Sequence, residues 1–253
     1  MPTNKPWAFI TGAAGGIGKA LVDAFVNSGY RVIAADIKWE SKARSKDVYE
    51  LSLNLEGLAF NSKELESLRA NIMELTEGKG LNALVNNAAV QITSATENIS
   101  SEDWAKTWDV NFHAPFFLIQ TFLDTLTENN GSVVNISSIH ATQTKRDFVA
   151  YASSKGALSS LTRNLAVDLR DKIRVNAIEP AAVATDMLVD GFSKTPEKYE
   201  QLNRYHPLGR ISEPQEVAEL AVYLCSDNCR FIQGACIPVS GGIHSCLSDP
   251  SFE

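Results

Sequence analysis

Tyr151 and Lys155 stand four residues apart in Tyr151-Ala152-Ser153-Ser154-Lys155, a spacing that places a phenol and an ammonium on one face of a helix. A free tyrosine titrates at about 10, and a neighbouring cation lowers an acid by roughly one to three units. The pairing therefore predicts a Tyr151 acidified enough to serve as a general acid or base near neutrality. Ser138 ends the apolar run Ser132-Val133-Val134-Asn135-Ile136-Ser137, so it is expected where a strand opens into a loop. A hydroxyl there can hold a substrate oxygen. Taken alone, Tyr-x3-Lys also describes many solvated helix faces, so the reading depends on the elements around it.

The first of those elements is a phosphate cradle. Trp7–Thr11 reads as a strand, Gly12-Ala13-Ala14-Gly15-Gly16-Ile17-Gly18 as a glycine-rich turn into a helix, and Arg31–Asp36 as a second strand ending in a carboxylate. In such a βαβ unit the glycines let the backbone approach a pyrophosphate, the helix N-terminus stabilises its charge, and the acid takes the adenosine ribose hydroxyls. Neither Ala13, Ala14 nor Ile37 offers a cation for a 2′-phosphate, so NAD is the expected cofactor and NADP the less favoured one.

Further along, Val48–Leu53 is predicted as a strand, with room for a short helix between Ile37 and Tyr49. Leu65, Leu68, Ile72 and Leu75 mark an amphipathic helix, and Leu84-Val85 a strand that runs into Asn86-Asn87-Ala88-Ala89. One helix is expected from Ser101–Trp104 to about Leu126. Its apolar residues, among them Val110, Phe112, Phe116, Phe117, Phe122 and Leu123, cover it nearly all round, more than one sheet can bury. A second chain against this helix and the small-residue helix Ala152–Ala166 would supply the missing cover, as a homodimer or homotetramer. Pro115 cannot donate a hydrogen bond to the Asn111 carbonyl four residues back; it either kinks the helix or frees that carbonyl for an ordered water. The Tyr151 helix should run to Leu169, followed by strand Ile173–Ile178, an irregular Asp186–His206 segment, helix Pro214–Cys225 with Ser212 and Gln215 as a capping box, and strand Ala235–Val239. Alternating strands and helices predict an α/β fold, a doubly wound parallel sheet with helices on both faces, as a single domain over residues 1–253 with a short tail from about 243.

A net charge of -7 argues against a nucleic-acid surface, and neither an N-terminal leader nor an eighteen-residue apolar run occurs, so a cytoplasmic protein with no membrane partner is expected. Cys225, Cys229, Cys236 and Cys246 lack zinc-site spacing and read as reduced packing residues, so no metal is expected.

Thr11-Gly12-x3-Gly16-Ile17-Gly18, Asn86-Asn87-Ala88-Ala89, Asn111, Ser138, Tyr151-x3-Lys155 and Arg174-Val175-Asn176-Ala177-Ile178-x-Pro180 together resemble the short-chain dehydrogenase/reductase family. The resemblance implies a Rossmann domain with an Asn111, Ser138, Tyr151 and Lys155 tetrad. Tyr would exchange the substrate proton, Lys lower its pKa and bind the nicotinamide ribose, Ser position the carbonyl, and Asn hold a relay water. It also implies cofactor contacts from Gly12, Gly16, Ile17, Gly18, Asp36, Asn54, Leu55, Asn87, Ala88, Tyr151, Lys155, Pro180, Val183 and Thr185. Asn54, Ala89 and Ala181 depart from the family's usual Asp, Gly and Gly, and Gln233 and Ser240 from its usual Thr and Asp, the last two expected to affect packing alone. The implied activity is NAD-dependent interconversion of a secondary alcohol and a ketone on a small polar substrate. An NADPH-dependent 3-oxoacyl reductase and a non-catalytic NAD-binding sensor are the alternatives. Ser138, His140, Lys145, Arg146, Tyr151 and Met187 are the substrate candidates; Arg204 and His206 could also meet an anion or be ordinary surface groups.

Overall fold

The computed structural model describes residues 5–247, apart from the side chain of Met187. Eight strands form one sheet. β1 (Trp7–Thr11) leads through α1 (Gly16–Asn27) to β2 (Arg31–Asp36); β3 (Lys42–Ala43) and β4 (Val48–Ser52) follow, then α2 (Ser62–Leu75) and β5 (Ala83–Asn86). After α3 (Ser101–Trp108) and α4 (Ala114–Glu128) come β6 (Ser132–Ile136), α5 (Val149–Leu169) and β7 (Arg174–Pro180). α6 (Asp186–Gly191), α7 (Pro196–Arg204), α8 (Pro214–Cys225) and β8 (Cys236–Val239) complete the chain.

The strand order is β3-β4-β2-β1-β5-β6-β7-β8, parallel except for β3 against β4. The winding reverses beside β1, between β2 on one side and β5 on the other, and a crevice opens at the carboxyl ends of strands at such a reversal. β1, β5 and β6 are buried along their whole length because both faces are covered. Alternation along β1 shows how. Phe9 packs with Leu84, Leu118 and Phe122 beneath α2, α4 and α5, while Ala8 and Ile10 pack with Leu21, Phe25 and Val217 beneath α1 and α8.

The structure corrects four sequence expectations. No helix forms between Ile37 and Tyr49; the chain instead makes the two-residue β3, which pairs Lys42 with Glu50 and Ala43 with Tyr49 at the sheet edge. The long helix predicted from Ser101 is divided by a π-turn at Asp109–His113, where the Ala114 amide bonds the Asp109 carbonyl five residues back. Pro115 falls in the first turn of α4, where a missing N–H is tolerated, so the proline starts a new helix after the turn. The segment 186–206 contains α6, capped by Thr185 Oγ1 accepting from the Leu188 amide at 3.4 Å, and α7, with Pro196 in its first turn. The N-cap of α8 is Glu213, one residue after the predicted Ser212, and its amide donates to Glu216 Oε2 at 2.8 Å. Gln233 has the expected packing role: its Oε1 accepts from the Val175 amide at 2.7 Å and its Nε2 donates to the Ile173 carbonyl at 3.1 Å. No described helix is long and apolar enough to cross a membrane.

Candidate active site

A cleft of about 640 Å³ opens at the carboxyl ends of β1, β2 and β5. Its lining includes Gly12, Gly16, Ile17, Gly18, Asp36, Asn54, Leu55, Asn87, Ala88 and Thr185, ten of the predicted cofactor positions. The glycines are sterically required. Gly12 has φ +64°, and a Cβ on it would lie 2.6 Å from the Ala88 Cα; a Cβ on Gly18 would collide with the Gly12 carbonyl oxygen. α1 has neither a side-chain cap nor an acid in its first turn, leaving its leading amides and dipole facing the cleft. Thr11 and Asn87 hold the turn in place. Thr11 Oγ1 accepts from the amides of Asn87 and Ala88, both at 3.1 Å, and Asn87 Nδ2 donates to the Thr11 and Gly12 carbonyls at 2.9 and 3.0 Å.

Asp36 is fixed by amides: Oδ2 accepts from Ala14 and Oδ1 from Lys38, each at 3.0 Å. Each oxygen keeps lone pairs for a diol. Asn54 Oδ1 turns back to accept from the Glu56 amide at 3.0 Å. Lys19, Lys38 and Lys106 also line the cleft, cations the sequence reading did not weigh. The uncapped helix end, the glycine clearances and the anchored carboxylate fit a dinucleotide: the α1 amides would hold its pyrophosphate and Asp36 its adenosine ribose.

Pro180, Val183, Ser138, Tyr151 and Lys155 lie outside the lining of this cleft, at the neighbouring ends of β6 and β7 and on α5. Ser138 stands two residues beyond the end of β6, and its Oγ accepts from the His140 amide at 3.1 Å, which leaves the hydroxyl proton free to donate. Tyr151 sits in the first turn of α5 with the Ser138 hydroxyl facing it, and Lys155 is buried one turn on. Asn111, in the π-turn, uses its amide to clamp the chain after β5. Its Oδ1 accepts from the Val90 amide at 2.8 Å, and its Nδ2 donates to the Val90 carbonyl at 2.9 Å and to Ser154 Oγ at 3.0 Å. Ser154 passes the contact to the Tyr151 carbonyl at 2.8 Å. Asn111 thus bears on Tyr151 through Ser154, a link absent from the sequence reading although Ser154 lies inside the Tyr-x3-Lys stretch.

The expected acidification of Tyr151 by Lys155 is not what the structure has. Lys155 Nζ donates to the Ile136 carbonyl at 2.7 Å and stands 5.8 Å from the centre of the Tyr151 ring. Burial governs both groups: it pushes Lys155 down to about 7, and it holds Tyr151 above its ordinary range against the lowering effect of the Ser138 hydroxyl.

Among the substrate candidates, His140 stacks on Phe148 with ring centres 4.6 Å apart and meets Tyr151 edge-on at 5.9 Å. Lys145 Nζ lies 4.5 Å from the centre of the Phe148 ring, and Arg146 is exposed. The side chain of Met187 lies outside the described residues. His206 is not a surface group for an anion: it is buried, with Nδ1 2.8 Å from the Leu202 carbonyl. Among the described residues no group of three His, Cys, Asp or Glu side chains could hold a metal ion.

Residues 12–244 match a family model described as enoyl-(acyl carrier protein) reductase. The chain belongs to the short-chain dehydrogenase/reductase family. Its relatives include Protein FixR of Bradyrhizobium diazoefficiens, 35% identical and covering 93% of this chain and 85% of the relative. The 7alpha-hydroxysteroid dehydrogenase of Escherichia coli strain K12 is 34% identical, over 93% of this chain and 92% of its own. The ligand-free aldohexose dehydrogenase of Thermoplasma acidophilum superimposes with a TM-score of 0.86 at 28% identity, over 97% of both chains. This short-chain dehydrogenase/reductase is accordingly an oxidoreductase acting on CH–OH groups, with a nicotinamide cofactor.

Proposed function

We propose that the chain is an NAD-dependent dehydrogenase that interconverts a secondary alcohol and a ketone on a small, polar substrate. The observation that carries the reading is the meeting of Ser138, Tyr151 and Lys155 beside a cleft whose carboxylate, Asp36, is held by two amides. The α1 amides and Asp36 would hold NAD along the cleft, where its nicotinamide would supply the hydride acceptor or donor. Ser138 donates its free proton to the substrate oxygen, Tyr151 takes or gives the proton on that oxygen, and Asn111 holds the Val90 segment and, through Ser154, the backbone of Tyr151. Lys155 supplies the ribose contact that the family resemblance implies. The test is a screen of polyols, sugars, hydroxy acids and hydroxysteroids with NAD, read by absorbance of the reduced nicotinamide. Absence of turnover with every class, from folded protein that binds NAD, would favour the cofactor-binding sensor.

Asp36 makes NAD the preferred dinucleotide, because a 2′-phosphate would face a fixed carboxylate. Lys38 and Lys19 line the same cleft and are what would support NADP, and with it the 3-oxoacyl reductase reading. Titration of both cofactors is expected to give NAD the lower Kd by at least about tenfold, the lower end of discrimination from an unpaired like charge. Equal or tighter NADP binding would reverse the assignment.

We further propose that two copies associate through α4 and α5, with a tetramer as the next level by family resemblance. Phe112, Phe116, Phe117 and Leu123 are only half-buried within one chain, and Val167 on α5 is 78% exposed. Light scattering at micromolar concentration should give a multiple of the 27.6 kDa chain mass. A monomer there would refute the association.

A further inference from the structure

The cleft at the carboxyl ends of the strands is closed at one end by an ion pair. Its lining runs across the sheet from Thr185, beyond β7, to residues 53–56, beyond β4, with the α1 amides over β1 and Asp36 at the end of β2 between them. A dinucleotide held by those amides and by Asp36, with its nicotinamide toward Tyr151, would therefore place its adenine at the β4 end. At that end Glu56 Oε2 and Lys106 Nζ, both in the lining, stand 3.2 Å apart. Glu56 is carried by the chain after β4 and Lys106 by α3, so the pair joins the two walls of the cleft. A second link lies beside it: the Gly57 amide donates to Asp109 Oδ2 at 3.3 Å, and Asp109 Oδ1 is 3.1 Å from His113 Nδ1. The turn that carries Glu56 is itself fixed. Asn54 Oδ1 accepts from the Glu56 amide, Gly57 has a φ of +75° that favours glycine, and Leu55 and Leu58 are buried in the core beneath. A half-exposed pair of this kind adds little to folding stability. Hydride transfer, at the other end of the cleft, makes no use of it.

We propose that Lys106, held by Glu56, is a specificity-determining residue for the cofactor: the pair blocks the cleft beyond the adenine and excludes dinucleotides whose base is enlarged at its six-membered ring. This rests on the cofactor reading above and not on turnover. Adenine is joined to its ribose through N9, on the five-membered ring, so N1 and the 6-amino group form the edge farthest from Asp36 and nearest the pair. An etheno bridge from N1 to the 6-amino nitrogen adds two carbons at that edge. To seat them, Glu56 and Lys106 would have to part. A pocket of fixed size discriminates against a single extra methylene by about 10–200-fold.

NAD and 1,N6-etheno-NAD, whose base fluoresces, test this by titration into the protein with no alcohol present. Wild type should bind the etheno analogue with a Kd at least about tenfold above that for NAD. K106E sets two carboxylates against each other and should bring the ratio of the two Kd values toward one, and the exchanged pair E56K/K106E should restore it. Loss of fold, or of a positive charge along the cleft, would weaken both ligands together and not move the ratio. Added salt screens an exposed pair, so it should narrow the wild-type ratio and leave that of K106E as it was. A wild-type ratio near one, or a ratio that K106E leaves unchanged, would overturn the proposal. If NADP proves the tighter cofactor, NADP and its etheno analogue are the matched pair and the expectation is the same. Folded protein that binds no dinucleotide would overturn the cofactor reading and this proposal with it. Discrimination as expected, without oxidation of any alcohol, supports the proposal and counts against the dehydrogenase reading alone.

Discussion

Replacing Tyr151 with phenylalanine should lower turnover by at least about a hundredfold, the contribution of a positioned acid or base, with NAD affinity kept within a few fold. The substitution removes one oxygen. The ring would keep its edge-on packing with Phe148 at 6.1 Å and with His140 at 5.9 Å, and the Asn111–Ser154 contact reaches the Tyr151 carbonyl, which is unchanged. The direction of the Tyr151 shift adds a pH signature. A phenol held above its ordinary range is protonated at neutral pH, ready to give a proton to a ketone but not to take one from an alcohol. Alcohol oxidation by the wild type should therefore rise as pH increases through the alkaline range, and ketone reduction should fall. Rates for Tyr151→Phe in both directions, measured across pH, should lose this opposed dependence together with their magnitude. Turnover near the wild-type level would remove Tyr151 from the proton path and return the role to Ser138 or Lys155.

The frame of this site was legible wherever sequence signals were local and redundant. β1 and β2 ended where their apolar runs ended, and the glycine turn, Asp36 and α1 followed from short-range sterics and helix electrostatics. Errors arose where the deciding partner was distant in sequence. Nothing between Ile37 and Asp47 announces that Lys42 and Ala43 will pair with Glu50 and Tyr49. Pro115 signals a kink or a freed Asn111 carbonyl inside one helix, yet a proline constrains only its own turn; whether the helix bends, stops or widens into a π-turn is decided by what must be buried around Asn111. The Asp186–His206 segment reads as irregular although Thr185 and Pro196 are both helix-start residues, because α6, at six residues, is too short and α7 too polar to show an apolar period. At the site itself, residue types gave Ser138, Tyr151 and Lys155 their neighbourhood, and Ser154 was hidden because serine within a helix has no distinguishing mark.

Burial was the largest quantity the sequence could not supply, and Lys155 shows its consequence. Spacing alone predicts an ammonium acidifying a phenol, yet Lys155 is 2% exposed and without a carboxylate partner among the described residues, so the cost of desolvation falls on the lysine. Its pKa drops from an ordinary 10.5 to about 7. In the folded protein the proton leaves near pH 7, whereas the unfolded chain keeps it to about 10.5. Across that window the unfolded state binds more protons, so this residue makes stability rise with pH. Below about 7 both states are protonated, and the folded state bears the full cost of a buried ammonium, on the order of a few kcal/mol at roughly 1.4 kcal/mol per pKa unit. Lys155→Met keeps the length of the stem and removes the charge. It also takes the donor from the Ile136 carbonyl, a loss of about 1–3 kcal/mol that does not depend on pH. The Tm of Lys155→Met relative to wild type should thus be most favourable at pH 6–7 and become steadily less so toward pH 10, while turnover is lost at every pH. A difference in Tm that stays flat over this range would mean that Lys155 keeps an ordinary pKa in the free protein. Tyr151 would then face a fully charged neighbour, and the acidification predicted by the spacing would be restored.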